Sequence, residues 1–266
     1  MLNTIGRPIV NRVAISHIAR INPSLPLLRR INHRRHSLSA VQIRMSSSQS
    51  QTIEHIVLFN VKPTAESTQL AAMVNGLNSL RSLPMLLHIS AGKLLRNRSS
   101  SFNFTHILHS RYRTKEDLAS YSAHDAHLSV VRTSVLPICD DIMAVDWVAE
   151  NLQGPAEVKP GSAMRVQFVK LKEGLGDTEK GKVLGVIGGL KDKFDGIDQL
   201  SFGENFSLAR AKGFSLASIG IFAGVNELDA LEGNVQINEE KDKVRDYIDS
   251  LIVVDYVVPS SQSASL

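Results

Sequence analysis

Cysteine is almost missing from this 266-residue chain: Cys139 stands alone. It can form no internal disulfide, and its Pro-Ile-Cys-Asp-Asp surroundings give it no partner at metal-ligand spacing, so it reads as a buried structural thiol. Aromatic residues make up only 5% of the chain. No apolar run approaches the roughly 18 residues of a spanning helix, which argues against a membrane partner. Gly-x-Gly-x-x-Gly and Walker patterns are absent, so Gly185-Val-Ile-Gly-Gly189 is not read as a phosphate cradle. No Gly-x-Ser-x-Gly elbow offers a serine nucleophile. Acidic residues and lysine are both missing from the first 53 positions.

What those 53 positions hold is arginine, eight of them from Arg7 to Arg44 among Ile, Leu, Val and Ser. That is the composition of a mitochondrial or plastid transit peptide. Removing those eight from the chain's 30 basic residues leaves 22 against 26 acidic ones, a net charge near −4. A body of that charge lacks the basic footprint of a nucleic-acid binder. The chain ends Ser263-Ala-Ser-Leu266, a weak likeness to the peroxisomal Ser-Lys-Leu address without its lysine. A product starting at Met45 loses the leader, so the peroxisome is the expected destination, with plastid or mitochondrion as the alternative. The leader is assigned to residues 1–53 and a frayed tail to 259–266.

Apolar residues make up 43% of the chain, enough to bury a core, and the length suits two domains. The chain repeats itself. Glu54-His55-Ile-Val-Leu-Phe-Asn-Val-Lys62 and Met164-Arg165-Val-Gln-Phe-Val-Lys-Leu-Lys172 are strand-like runs 110 residues apart. Each leads into a helical stretch, with Leu70, Met73, Val74, Leu77 and Leu80 on one face of the first and Val183, Val186, Ile187 and Leu190 on one face of the second. Phe104-Thr-His-Ile-Leu-His and Phe214-Ser-Leu-Ala-Ser-Ile keep the spacing, and Ile142–Trp147 matches Leu251–Tyr256 at 109. A constant register over four landmarks indicates duplication.

Residues 151–161, with two prolines and two glycines, read as a linker between domains at 54–150 and 162–258. Each half reads strand, helix, strand, strand, helix, strand, an α+β unit whose antiparallel sheet carries its helices on one face. The bare face must be covered, and two units placed sheet to sheet close a barrel between them. One chain can supply both units; pairing of like domains across two chains, or a further homodimer, stays open.

The two histidines, tyrosine and aspartate of Tyr121-Ser-Ala-His-Asp-Ala-His127 are the densest chemical cluster. Together with His55-Ile-Val-Leu-Phe-Asn-Val-Lys62, Phe104-Thr-His106-Ile and Val145-Asp-Trp147, they resemble the stress-responsive A/B-barrel, or dimeric α/β-barrel, domain of plants. The likeness is strong over 54–150 and weaker over 160–258. It implies tandem ferredoxin-like units packed sheet to sheet and a stress-response role without strong catalysis. A related polyketide cyclase has histidines matched by His55, His106 and His127 and a tyrosine matched by Tyr121. There the histidine at the His127 position is the general base of an aldol closure and the tyrosine assists. Imidazole titrates near neutrality and can take a proton alpha to a carbonyl, and a phenol can donate to the developing oxyanion. The alternative function is thus a cyclase-like acid-base enzyme acting on a small apolar carbonyl ligand in the first barrel. The resemblance identifies no cofactor, although related single-domain proteins carry weakly bound Mg²⁺ on backbone carbonyls near the end of the first helix.

The second half is a control: at the 110-residue offset His55 becomes Arg165, His106 Leu216, Tyr121 Leu231, His124 Asn234 and His127 Ile237. The fold does not require these side chains. On the residues alone, His55 and His106 read first as half-buried strand histidines bonded to a neighbour, and Tyr121 as a packing residue with its hydroxyl at the surface. His124 and His127 have a spacing that a helix could turn toward Zn²⁺, but no thiolate pair or His-Glu-x-x-His run accompanies them.

Overall fold

The computed structural model describes residues 51–99, 101–150 and 152–260, all within one compact unit, Ser47–Leu266. Of the leader expected over 1–53 and the tail expected over 259–266, which carry the targeting expectations, residues 1–50 and 261–266 lie outside the described residues, and 51–53 already belong to the first strand. The first half runs β1 (Gln51–Val61), α1 (Ser67–Ser79), β2 (Leu86–Lys93), β3 (Arg96–Asn97), β4 (His106–Tyr112), α2 (Lys115–Ala123), α3 (Asp125–Val130) and β5 (Cys139–Glu150). The second runs β6 (Ala163–Leu171), α4 (Asp177–Gly188), α5 (Leu190–Lys193), β7 (Gln199–Glu204), β8 (Leu216–Phe222), α6 (Val225–Ala230), α7 (Val235–Asp242) and β9 (Ile248–Val257). This is the duplicated α+β unit read from the sequence, with a short added strand, β3, and with helices broken into consecutive pieces (α2 and α3, α4 and α5, α6 and α7).

Local chemistry starts the first two helices. The Glu66 N–H donates to Gln69 Oε1 (2.9 Å) in a capping box before α1. Thr114 Oγ1 accepts from the Asp117 N–H (3.0 Å) at α2, where Glu116 and Asp117 face the positive end of the helix dipole. The apolar stripes then bury as their spacing requires: Met73, Leu77 and Leu80 in the first half, Val183, Ile187 and Leu190 in the second.

All strands pair antiparallel, in the orders β2-β4-β1-β5 and β3-β9-β6-β8-β7. Each sheet has a helix face and a bare face, and the bare faces pack together. Ile56, Leu58, Val145 and Trp147 of the first sheet share a core with Val166, Phe168, Ile219, Val254 and Tyr256 of the second. Strand β1 is buried on both sides, which explains its nearly unbroken apolar run.

Two seams close the barrel, and they are pseudo-equivalent. In one, β3 leaves the first half and pairs with β9, Arg96 opposite Asp255. In the other, β5 meets the end of β7, Trp147 bridging to Asn205. Each seam buries an aromatic whose polar tip finds a serine across it: Tyr256 Oη lies 2.6 Å from Ser90 Oγ, and Trp147 Nε1 donates to Ser201 Oγ at 2.9 Å. Each also brings a glycine against that ring. A Cβ on Gly92 would lie 3.1 Å from the Tyr256 ring, and one on Gly203 would lie 2.9 Å from the Val148 carbonyl oxygen and 3.1 Å from Trp147 Cδ1. Gly203→Ala is therefore expected to lower stability by about 1–3 kcal/mol, since the backbone it strikes cannot rotate away. An unchanged melting temperature would mean that the seam opens at no cost.

Candidate functional site

Alternation along β1 sorts the polar residues into two groups. Ile56 and Leu58 face the barrel, so Glu54 does too, while His55 points with Ile53, Val57 and Phe59 toward the helices.

On the helix side, His55 Nδ1 hydrogen-bonds the Asp146 carboxylate of β5, and both side chains are buried. Burial alone would raise the Asp146 carboxyl, but the charge and hydrogen bond of His55 outweigh it and hold it below the usual range. The His55 ring meets the Tyr112 ring edge-on at 6.4 Å. Tyr112 in turn lies 5.4 Å from Tyr121, and Tyr121 lies 4.6 Å from His127. Three of the four anticipated residues thus come together, in the order His55, Tyr121, His127, with Tyr112 between the first two.

His106 does not join them. It opens β4 opposite Phe59, four residues along β1 from His55 and so about 13 Å away. Its Nδ1 lies 2.9 Å from Thr105 Oγ1, and burial, aided by the charge of Lys93, lowers its pKa.

His127 is half-buried at the first turns of α3, and its Nδ1–H donates to the Ser122 carbonyl (3.1 Å). That bond fixes the tautomer and leaves Nε2 as the basic nitrogen. Burial is the main cause that keeps its pKa below the ordinary value, with the charges of His55, Arg210 and His124 acting in the same direction. His124 is spent elsewhere: its Nδ1 caps α3 by accepting from the Ala126 N–H (3.2 Å). Tyr121 is 1% exposed, and its hydroxyl has no hydrogen-bond partner among the described residues. Burial raises its pKa, so it stays a phenol at neutral pH.

The second group lies inside the barrel and escaped the sequence reading. Glu54 accepts from Arg111 Nε (3.0 and 3.1 Å) and pairs with His109 Nε2 (2.7 Å), with all three fully buried. The His109 ring packs 5.0 Å from that of His88. This cluster also holds the linker. Arg111 Nη1 donates to the Ala156 carbonyl (2.9 Å) and to Gln199 Oε1 (3.1 Å), and the Val158 N–H donates to His88 Nδ1 (3.3 Å). The only advance signal was the alternation of Glu54 with Ile56 and Leu58.

Surface hollows of 360, 460 and 580 Å³ flank α4, β7 and β2 respectively, and neither Tyr121 nor His127 lines any of the three. Among the described residues no group of three or more His, Cys, Asp or Glu is placed to hold a metal ion. At the end of α1 three carbonyls accept hydrogen bonds. Ser79 Oγ donates to Gly76 O (2.7 Å), Arg81 Nε donates to Asn78 O (3.2 Å), and the Leu83 N–H donates to Leu80 O (3.0 Å). Cys139 is half-buried beside Met73 Sδ (3.9 Å), and burial pushes its thiol up to about 11. No helix among the described residues is long and apolar enough to cross a membrane.

The model of the Stress responsive A/B Barrel Domain family matches residues 53–149 and again 164–258. A stress-response A/B barrel domain-containing protein of Arabidopsis thaliana is 53% identical over 261 residues, covering 93% of this chain and 99% of that protein. A second protein of the same description and plant is 43% identical over 216 residues, covering 80% and 99%. A solved structure from Fusobacterium nucleatum, 10% identical, superposes with a TM-score of 0.57 over 79% of this chain and 94% of its own, a likeness of fold alone.

Proposed function

This chain belongs to the stress-responsive A/B barrel family, and from that premise we propose that it serves the stress response as a small-molecule binding barrel without strong catalysis. The binding site is the His55, Tyr121 and His127 group under α2 and α3. One observation carries the reading: the Tyr121 hydroxyl is buried and unpartnered. Turnover by the same group would need a substrate atom within hydrogen-bond reach of that hydroxyl.

In the second half the same layer is filled by Phe222, Leu231 and Ile237, at the places of Tyr112, Tyr121 and His127. The first half gives up that apolar packing for polar groups that can meet a ligand. A cyclase-like reading draws on His127, whose bond to Ser122 leaves Nε2 free to act as a base.

The deciding assay incubates the full-length protein, His127→Ala and Tyr121→Phe with linear polyketide thioesters and follows cyclised product by mass spectrometry. No product above background from any form is expected. Product from the unmodified protein that disappears in both variants would establish the cyclase instead.

A further inference from the structure

The second half carries a hollow that its fold does not require. Helix α4 and the chain from α7 to Tyr247 border a space of about 360 Å³, lined by Val186, Val244 and Tyr247 and by Lys182, Lys193 and Lys243. Two glycines of α4 and its end, Gly185 and Gly189, complete the wall. A Cβ on Gly185 would meet nothing within 4 Å, and one on Gly189 would meet only carbonyls of its own helix, at 3.4 and 3.7 Å. Gly188 differs: a Cβ there would come 2.6 Å from the Phe202 ring. Inside a helix a glycine is less stable than an alanine, so Gly185 costs stability and packing returns nothing for it. What it supplies is bare helix backbone beside the hollow.

The first half shows that duplication alone does not produce this surface. At the 110-residue offset Gly185, Val186 and Gly189 become Asn75, Gly76 and Ser79, and Glu240 becomes Val130. There the glycine marks the helix crossing, since a Cβ on Gly76 would lie 3.2 Å from Val130. The second half puts Val186 at that place and has its glycines on either side. Charge changes too: Lys182, Lys193 and Lys243 stand where the first half has Ala72, Leu83 and Thr133. Glu240 is the one acid among the lining residues, and Lys243 holds it at 2.7 Å. Lys182 comes within 3.9 Å of Glu179 and lies over the Tyr247 ring, 5.4 Å from its centre. Lys193 makes no hydrogen bond or ion pair among the described residues.

We propose that this hollow is a second binding site, which takes a small organic anion with a flat aromatic body. The body lies on Val186, Val244 and the Tyr247 ring, against the bare backbone at Gly185, and the anionic group meets Lys193 and Lys182. Aromatic faces stack offset on one another, and lysine carries a point charge on a flexible stem that follows the anion. The site is independent of the His55, Tyr121 and His127 group, which belongs to the other half.

The test titrates the full-length protein with 2-naphthoate and with 2-naphthamide while reading the Gly185 and Gly189 amide signals by NMR, each assigned through its loss in the alanine variant. The acid is expected to bind about tenfold more tightly than the amide. Lys193→Gln should bring the acid down to the amide's affinity and leave the amide unchanged. Gly185→Ala, read at Gly189, should weaken both compounds about tenfold while raising the melting temperature, because the methyl improves the helix and occupies the hollow. A purely structural glycine would not move the two in opposite senses. Equal binding of acid and amide, an acid preference that survives Lys193→Gln, or binding indifferent to Gly185→Ala overturns the inference, as does the absence of any shift at these glycines. None of these outcomes touches the first half's site.

Discussion

Glu54→Gln is expected to cost about 3–5 kcal/mol of stability, the size of effect seen when one member of a buried ion pair is removed. Glu54, His109 and Arg111 are all fully buried. Burial would raise the Glu54 carboxyl, but Arg111 and His109 more than offset it and hold the group far below the ordinary carboxylate range. The amide leaves the Arg111 charge inside the barrel with no counter-ion. The second half contains the control. Its barrel positions corresponding to Glu54, His109 and Arg111 are Met164, Ile219 and Ile221, which pack in the shared apolar core. Replacing all three together, Glu54→Met with His109→Ile and Arg111→Ile, removes every charge at once and is expected to cost far less than Glu54→Gln alone. Urea unfolding of the three proteins decides it. If the triple variant is the least stable, the cluster is held by more than charge pairing, and the linker contacts of Arg111 with Ala156 and Gln199 become the main term.

Acid should destabilise this protein as the pH falls below about 6.5. Burial, reinforced by the charges of His109 and Arg111, lowers the pKa of His88 to about 2. Burial also lowers His109, outweighing the pull of Glu54 in the other direction. Both rings are therefore neutral in the folded chain at a pH where the unfolded chain, with a histidine pKa near 6.5, already takes up protons. The contribution is fully present above pH ~6.5 and is lost as pH falls from there toward the folded values. His88 contributes a slope of roughly 1.4 kcal/mol per pH unit over that interval, and His109 adds in the same direction. Against a domain's stability of about 5–15 kcal/mol, a loss of roughly 3 kcal/mol from His88 alone by pH ~4.5 is large. Urea midpoints measured from pH 7.5 down to 5 should fall steadily, and His109→Gln should make the decline shallower. A flat midpoint across that range would mean that the native barrel accepts the protons, contrary to the burial described here.

The duplication was legible because it lies in periods and spacings. Period-2 and period-3.6 apolar patterns recur at one offset, and both helix faces anticipated from Leu77 and Ile187 are buried. The histidine group was visible only through resemblance. Its geometry was partly hidden, because residues brought together across a sheet can be far apart in sequence: His55 and Asp146 are separated by 91 positions. An aspartate within the apolar Ile142–Trp147 run was the available signal, and its counterpart Asp255 in the second half repeated it. His106 drew attention through its motif, yet strand register sets it apart from the others.

What the sequence determined by itself is the set of local and periodic choices: where strands and helices form, that the unit occurs twice, and that each sheet has an apolar face to hide. Those choices follow from side-chain patterning along short stretches of chain. What only the tertiary structure decided is where charges meet. Whether Glu54 faces the barrel or the helices and whether Asp146 pairs with His55 both depend on strand register and on how the two sheets close at their seams. Electrostatic energy depends on distance and burial in space, and spacing along the chain carries neither.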